Sequence, residues 1–334
     1  MKGSPDLVRL MTGADLAAVA AVTNVAFGTL RGDPDSQRFP ALLFETRLAA
    51  DPDGCFVAVA PGDPGRITGA LLSVARGGLG WFGPLAVHPG AQRGGVGREL
   101  TTACLESWRA RDVQLMGLET FGDSPFHIHL YSTLGFRPAW TGVSFTRPLR
   151  ETTMPPGVEV TVPADSQREG TPAGDHPGET PAGDQPGKMP AGGQAISMPP
   201  GIQLPDLSYL YPGLDVSGEA AATMSCGAGA VLTTGDGIAV CHLKQTFQGP
   251  QTGYLPFLAA RSRESFEALL TAAEHLSREA GCTSFFARAP GSSWATMDAL
   301  TARGYRAGDA MIRMKRGEIP DYDRTGTYYC DNWL

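Results

Sequence analysis

The sequence lacks the paired cysteines that mark metal-binding or redox-active chains. Its six cysteines are scattered over 334 residues without CxxC or Cys/His spacing: Cys55, Cys104, Cys226, Cys241, Cys282 and Cys330. Several lie in apolar stretches, where a free thiol behaves as a small hydrophobic side chain. The sequence therefore predicts free, buried thiols and no metal site.

The sequence also lacks a long uncharged apolar run that would span a bilayer, and its start lacks the basic and apolar regions of a secretion signal. The net charge of −7 disfavours nucleic acid and anionic membranes as partners. An apolar fraction of 42% is typical of a globular protein, and the length allows two domains with cores. We expect a cytoplasmic protein, and the sequence does not indicate its oligomeric state.

The most informative feature present is a glycine-rich turn between a strand and a helix. The apolar run Leu79–Val87 predicts a strand, and residues 98–108 have the apolar spacing of a helix. Gly94, Gly95 and Gly97 lie between them. Without side chains, these residues allow an anion to approach the first-turn N–H groups, where the helix dipole is positive. The turn therefore predicts a phosphate-binding site.

Residues 151–197 differ from the rest of the chain in composition. They contain a near-repeat, Thr-Pro-Ala-Gly-Asp, that begins at Thr171 and again at Thr180. Dense proline and glycine with few apolar residues cannot form a core, so we predict a flexible, disordered linker. It would separate a first domain, residues 1–150, from a second domain, residues 198–334.

Two motifs of the first domain resemble a known family. Gln92, Gly95 and Gly97 form a Q-x-x-G-x-G pattern, and residues 130–136 form an LYxxxGF pattern that includes Tyr131. The pair is similar to the acetyl-CoA pyrophosphate motif and the late helix of the GNAT acyltransferase superfamily. The order of predicted elements is strand, two helices, three strands, helix, strand, helix, strand, and it fits that superfamily's mixed α/β sheet. The resemblance implies acetyl-CoA as cosubstrate.

The second domain repeats the pattern of the first. Leu85 to Gly135 spans 50 positions and Leu258 to Gly304 spans 46, which indicates an internal duplication. The glycine turn is replaced there by Arg261-Ser262-Arg263-Glu264. The fold class is therefore predicted as α/β, with two GNAT-like domains in tandem and a degenerate second domain.

The resemblance implies where acetyl-CoA binds. Main-chain groups of Leu85, Ala86 and Val87 would pair with the pantetheine arm, and Val87 N–H would polarise the thioester carbonyl. Ser124 takes the position of a family asparagine and would contact the same arm. The pyrophosphate anchor would be formed by Gln92, Arg93, Gly94, Gly95, Val96, Gly97 and Arg98.

The resemblance also implies two catalytic residues. Tyr131 matches the family tyrosine that donates a proton to the departing CoA thiolate, a task that suits a phenol because it is protonated at neutral pH. Glu119, near the end of a strand beside the acyl site, is the predicted proton acceptor for the attacking amine. A surface glutamate or an ion-paired one is an equal alternative for this residue, and His88 is the rival base.

The predicted function is an N-acetyltransferase that transfers acetyl from acetyl-CoA to an amine by direct attack. A small-molecule amine and a protein amine both remain open as the acceptor, because specificity in the superfamily lies in variable helices and loops. The alternative is a non-catalytic acyl-CoA-binding sensor whose second domain reports occupancy to a partner.

Overall fold

The first half of the chain folds in the predicted order of elements. The structure is a computed structural model that describes residues 7–163, 198, 203–243, 246, 248–317 and 327–332. The elements of the first half are β1 (Leu7–Leu10), α1 (Leu16–Arg31), α2 (Ala41–Ala50), β2 (Phe56–Ala60), β3 (Asp63–Arg76), β4 (Leu79–Val87), α3 (Val96–Ala110), β5 (Leu115–Thr120), α4 (Pro125–Thr133) and β6 (Arg137–Pro148).

The second half repeats most of this order, which confirms the predicted duplication. Its elements are β7 (Glu159–Thr161), α5 (Ser217–Ser225), β8 (Gly229–Thr233), β9 (Gly237–His242), β10 (Thr252–Ala260), α6 (Arg263–Glu279), β11 (Ser284–Pro290), α7 (Trp294–Ala302), β12 (Arg306–Arg316) and β13 (Tyr328–Asp331). The series α5 to β12 matches the series α2 to β6 element by element.

The predicted linker lies mostly outside the described residues, which omit residues 164–197. Its described beginning needs a correction. Residues Glu159–Thr161 form β7, which pairs antiparallel with β8, so a segment assigned to the linker is part of the second half's sheet. The strand is short and two of its residues are exposed, which explains why its sequence carries no clear strand pattern.

The long helices form for reasons visible in their sequences. In α3, Leu100, Cys104, Leu105 and Trp108 are buried at the spacing of one helix face. In α6, the Ser262 hydroxyl accepts a hydrogen bond from the N–H of Ser265 at 3.2 Å and caps the first turn. Both helices therefore lie with an apolar face against the sheet.

All the strands of the described residues belong to one sheet that runs through both halves. The order is β1-β2-β3-β4-β5-β12-β6-β11-β10-β9-β8-β7, and β13 pairs with β10 outside this path. The last strand of each half is exchanged, because β12 pairs with β5 and β6 pairs with β11. The predicted domain boundaries remain a prediction, and the two halves share a continuous hydrogen-bonded ladder.

The helices of the first half cover both faces of its sheet. Val57, Val59 and Leu72 pack towards α1 and α2, whereas Phe56 and Leu71 pack towards α3. A further core joins the halves through Leu79, Trp81 and Leu115 of the first half and residues such as Phe257 and Tyr329 of the second. The segment Gly13–Arg31 is long and apolar enough by composition for a membrane span, but α1 here packs into a core.

Candidate functional site

A cleft opens where β4 and β5 separate. The two parallel strands pair from Leu79 with Leu115 to Phe82 with Leu118, and no further. Both strands continue, β4 to Val87 and β5 to Thr120. The ends of β4 and β5, which do not pair with each other, therefore line a gap that is open at the carboxyl edge of the sheet.

The direction of the main-chain groups of β4 follows from its pairing with β3. The N–H of His88 donates to the carbonyl of Thr68 at 2.8 Å, and bonded and non-bonded pairs alternate along an antiparallel ladder. Ala86 therefore directs its main-chain groups to β3, whereas Leu85 and Val87 direct theirs to the cleft. The prediction for Leu85 and Val87 agrees with this geometry. The predicted contact of Ala86 with the pantetheine arm is corrected, because the main-chain groups of Ala86 face β3.

The glycine turn lies at the mouth of this cleft and begins α3. Gly95 is the N-cap residue and has φ of 97°, and Arg93 before it has φ of 65°, so the turn is left-handed at two positions. Gly97 lies in the first turn of α3. A Cβ there would lie 3.7 Å from Val87, 3.8 Å from Leu130 and 4.0 Å from Leu85. The start of α3 is therefore placed beside the end of β4.

The side chains around the turn have distinct contacts. The Gln92 amide donates to the Val87 carbonyl at 3.0 Å and ties the turn to β4. Arg98 donates to the Thr133 hydroxyl at 2.8 Å and ties α3 to α4. Arg93 and Gly94 are exposed, and Val96 is buried in the α3 core. The structure thus brings the predicted anchor residues together, with Val96 serving packing through its side chain.

Helix α4 brings Tyr131 to the core beside the cleft. Tyr131 is 6% exposed, and its ring lies 5.7 Å from that of Phe82, the last β4 residue paired with β5. Burial raises the pKa of the Tyr131 phenol above its usual value, so the group stays protonated. Ser124 precedes α4, and its hydroxyl lies 2.7 Å from His127 Nδ1. Its predicted contact with the pantetheine arm would compete with this interaction.

Glu119 is ion-paired rather than free. Its side chain is 0% exposed and accepts hydrogen bonds from Arg288 and, at 2.6 Å, from Arg313 Nε. The residue as a whole is half-buried, so the exposed part is its main chain. Burial alone would raise the pKa of Glu119, but Arg288 and Arg313 together lower it. The predicted role as proton acceptor is corrected for this reason.

The partners of Glu119 are residues that sequence reasoning missed. Arg313 also donates to Asp331 Oδ1 at 2.8 Å and to the Asp331 carbonyl at 2.8 Å. The side chains of all four residues are at most 5% exposed. The sequence does contain a sign of these buried arginines. Arg288 lies between two alanines, and Arg313 lies between Ile312 and Met314, so both interrupt apolar stretches. A charged residue in such a setting needs a partner.

His88, the rival base, caps the short turn before the glycines. Its Nδ1 accepts a hydrogen bond from the N–H of Gly90 at 3.1 Å. In a neutral imidazole with this acceptor, the proton is on Nε2. Neither ring nitrogen then offers a free lone pair, so the position of His88 serves the turn.

A cavity of about 410 Å³ opens between the C-terminal parts of α3 and α4 and the end of β12. Its lining contains two guanidinium groups and no carboxylate: Thr102, Leu105, Arg109, Thr133, Leu134, Gly135 and Arg316. Burial, together with the charge of Arg109, lowers the pKa of Arg316. The arrangement favours an anionic ligand. Over the part of the chain that the structure describes, no group of three His, Cys, Asp or Glu residues is placed to hold a metal ion.

Comparison with known proteins gives one family match. The model of the acetyltransferase (GNAT) family matches residues 20–136, which contain β4, the glycine turn and Tyr131. A mycothiol acetyltransferase from Rhodococcus opacus (strain B4) is 29% identical over 176 residues, which cover 44% of this chain and 58% of that protein. The chain thus spans little more than half the length of this curated relative.

Solved structures share the fold over nearly the whole chain. A putative acetyltransferase from Pyrococcus horikoshii has a TM-score of 0.63 at 18% identity, covering 99% of this chain and 95% of that one. A tandem GNAT protein from the clavulanic acid biosynthesis pathway has a TM-score of 0.51 at 14% identity, covering 95% and 99%. At these identities the likeness shows the fold, including its arrangement in two halves.

Proposed function

The chain belongs to the GNAT acetyltransferase superfamily, and from that premise we propose that it transfers an acetyl group from acetyl-CoA to an amine. The observation that carries the proposal is the cleft between β4 and β5, with the glycine turn at its mouth and Tyr131 beside it. In acetyl transfer the turn would bind the pyrophosphate, the edge of β4 would hold the arm that carries the thioester, and Tyr131 would donate a proton to the departing thiolate. The first half brings the three together.

Acetyl-CoA would bind with its pyrophosphate at the start of α3. The N–H groups of Val96 and Gly97 lie in the first helical turn, where they have no intrahelical partner. The pantetheine arm would enter the cleft and pair with the main-chain groups of Leu85 and Val87. The cavity lined by Arg109 and Arg316 lies farther along α3 and offers positive charge for anionic groups of the cosubstrate beyond the pyrophosphate.

The amine would attack the acetyl carbon directly. As the C–S bond breaks, the Tyr131 phenol, which burial keeps protonated, would donate its proton to the CoA thiolate, and solvent would then reprotonate the phenolate. Val87 N–H would donate to the carbonyl oxygen as negative charge develops there. Since Glu119 is paired with two arginines and His88 with its own turn, we propose solvent water as the acceptor of the amine proton.

For the acceptor we propose only its chemical class, an amine. The curated relative is named as a mycothiol acetyltransferase, so the acceptor of that reaction belongs among the first amines to be tested. A cytoplasmic location also stays a prediction.

The test compares the wild-type chain with Tyr131→Phe on a panel of small-molecule and peptide amines, with product detected by mass. We expect acetylated product from the wild type. The variant should bind acetyl-CoA with unchanged affinity, because the ring and its packing remain, and its turnover should fall on the order of 100-fold or more. Tyr305→Phe, which removes a phenol of the second half, is the control for loss of a buried hydroxyl.

Two outcomes would contradict the proposal. Tight acetyl-CoA binding without product from any amine would favour the sensor function instead. Wild-type turnover in Tyr131→Phe would remove this residue from the chemistry.

A further inference from the structure

Strand β13 fills the place in the second half that corresponds to the open cleft of the first half. β10 and β11 pair in parallel only up to Tyr254 with Phe286, as β4 and β5 do up to Phe82 with Leu118. Beyond that point β10 pairs with β13, through residues 257–260. A strand offers the same alternation of donors and acceptors as an extended amide chain. The second cleft is therefore occupied by the protein's own main chain.

β13 is held firmly in this place. The N–H of Tyr329 donates to the Thr296 hydroxyl of α7 at 3.0 Å, and the N–H of Asn332 donates to the Pro256 carbonyl at 2.8 Å. Tyr329 is 2% exposed and Cys330 is fully buried. The strand is thus part of the folded core rather than a loose end laid on the surface.

The strand brings Asp331 to Arg313, which reaches the first cleft. Arg313 lies on the exchanged strand β12, directly opposite Glu119 of β5 in the ladder. One guanidinium therefore binds the Asp331 carboxylate, the Asp331 carbonyl and the Glu119 carboxylate. With Arg288, the cluster contains two positive and two negative charges, so removal of any one leaves a net buried charge.

Glu119 occupies the point where the first cleft begins. The preceding residue, Leu118, is the last of β5 to pair with β4. The Arg313 guanidinium also lies 5.6 Å from the ring of Trp81, in the part of β4 that is still paired with β5. Gly142 makes room for the cluster, because a Cβ there would collide with the Glu119 carboxylate and approach Arg313. Arg313 thus contacts both strands just below their separation.

We propose that Arg313 and Asp331 are positioning residues for acetyl transfer: β13 fixes Arg313, and Arg313 fixes Glu119 and the inner end of the first cleft. The inference rests on the proposed function. It assigns the second half a task in the reaction, since the filled cleft of one half sets the geometry of the open cleft of the other. The glycine turn is held by its own contacts, from Gln92 to Val87 and from Arg98 to Thr133, so we expect it to anchor the cosubstrate independently of the cluster.

The test compares Asp331→Asn with Cys330→Ala, two neighbouring changes on β13. Asp331→Asn removes one charge from the cluster at constant size. The Cys330 side chain belongs to the separate core around Leu258 and Phe266, so Cys330→Ala weakens the packing of the same strand and leaves the cluster intact. Both variants are measured at temperatures equally far below their own melting points. Asp331→Glu, which restores the charge, is the rescue variant.

We expect Asp331→Asn to lower kcat for acetyl transfer roughly 10- to 100-fold, the scale of a small misplacement of reacting groups, with acetyl-CoA affinity within about twofold. Amide hydrogen exchange at Glu119 and Thr120 should accelerate in this variant and not in Cys330→Ala, and Asp331→Glu should recover part of both effects. Equal changes in Asp331→Asn and Cys330→Ala, or none in either, would overturn the proposal. Absence of transfer by the wild type would instead contradict the proposed function, and the exchange measurement would still decide the positioning role.

Discussion

At the scale of single residues, the buried charge cluster makes Glu119 a stabilising group rather than a titrating base. Arg288 and Arg313 lower its pKa in the folded state, against the opposite effect of burial. A carboxyl group whose folded pKa is below its unfolded value binds protons more tightly when unfolded. It therefore stabilises the folded state at every pH above its unfolded pKa, which is about 4.3 for glutamate, and this contribution is lost as the pH falls through the folded value.

Glu119→Gln should lower the free energy of unfolding by about 3–5 kcal/mol at pH 7, because it leaves two buried arginines with one carboxylate. The difference from wild type should shrink as the pH falls below 4. Urea unfolding at pH 7 and at pH 3 measures both values. Glu267→Gln, which removes an exposed ion pair with Arg263, should have little effect at either pH. A constant loss at both pH values would contradict the electrostatic account.

Some residues of the site were predictable and others were not, for a physical reason. Tyr131 and the glycines each lie within a short local motif, so the resemblance of those motifs to a known family was enough to predict them. The partners of Glu119 lie 169 and 194 positions further along the chain. They meet it only because β12 and β6 are exchanged, and no local pattern records that exchange.

At the scale of elements, the start of α3 combines the positive end of the helix dipole with glycines at positions 95 and 97. Gly95 has a left-handed backbone that a side chain would strain, whereas Gly97 has ordinary space around it. The two glycines therefore have different uses. Gly95 shapes the turn, and Gly97 leaves the approach to the N–H groups open.

Gly97→Ala separates ligand approach from folding. The added methyl group meets protein atoms at 3.7 Å or more, so the fold should tolerate it, and alanine favours the helix. Acetyl-CoA affinity should fall roughly ten- to a hundredfold, the effect of losing hydrogen bonds to a charged group. Calorimetry and thermal unfolding measure the two quantities. Gly13→Ala, at a position with open space outside the site, is the control. Unchanged affinity would remove Gly97 from the binding site.

Sequence patterns predicted the elements with strong periodicity most accurately. The strand Leu79–Val87 has the predicted bounds. The short segments β7, β8 and α5 were not predicted. The aromatic residues before Asp331 pack on the core as a strand, β13. A strand that completes a sheet depends on the gap it fills, which lies elsewhere in the sequence.

At the scale of the whole molecule, duplication has produced two halves with different contents. Both contain the diverging pair of strands that forms a cleft, but one cleft is open beside a glycine turn and the other contains β13. The exchange of β6 and β12 joins the halves into one sheet, so the first half is not expected to keep its geometry when it is separated from the second. The complete chain is therefore the appropriate material for binding experiments.

The central claim is that one acetyl-CoA binds per chain, in the first cleft and on the glycine turn. Calorimetric titration of the complete chain with acetyl-CoA tests it most directly, with Gly97→Val as the matched variant because a β-branched side chain blocks the turn. The account predicts one site per chain in the wild type and severe loss of binding in the variant. Two sites per chain, or a single site that Gly97→Val leaves intact, would contradict it.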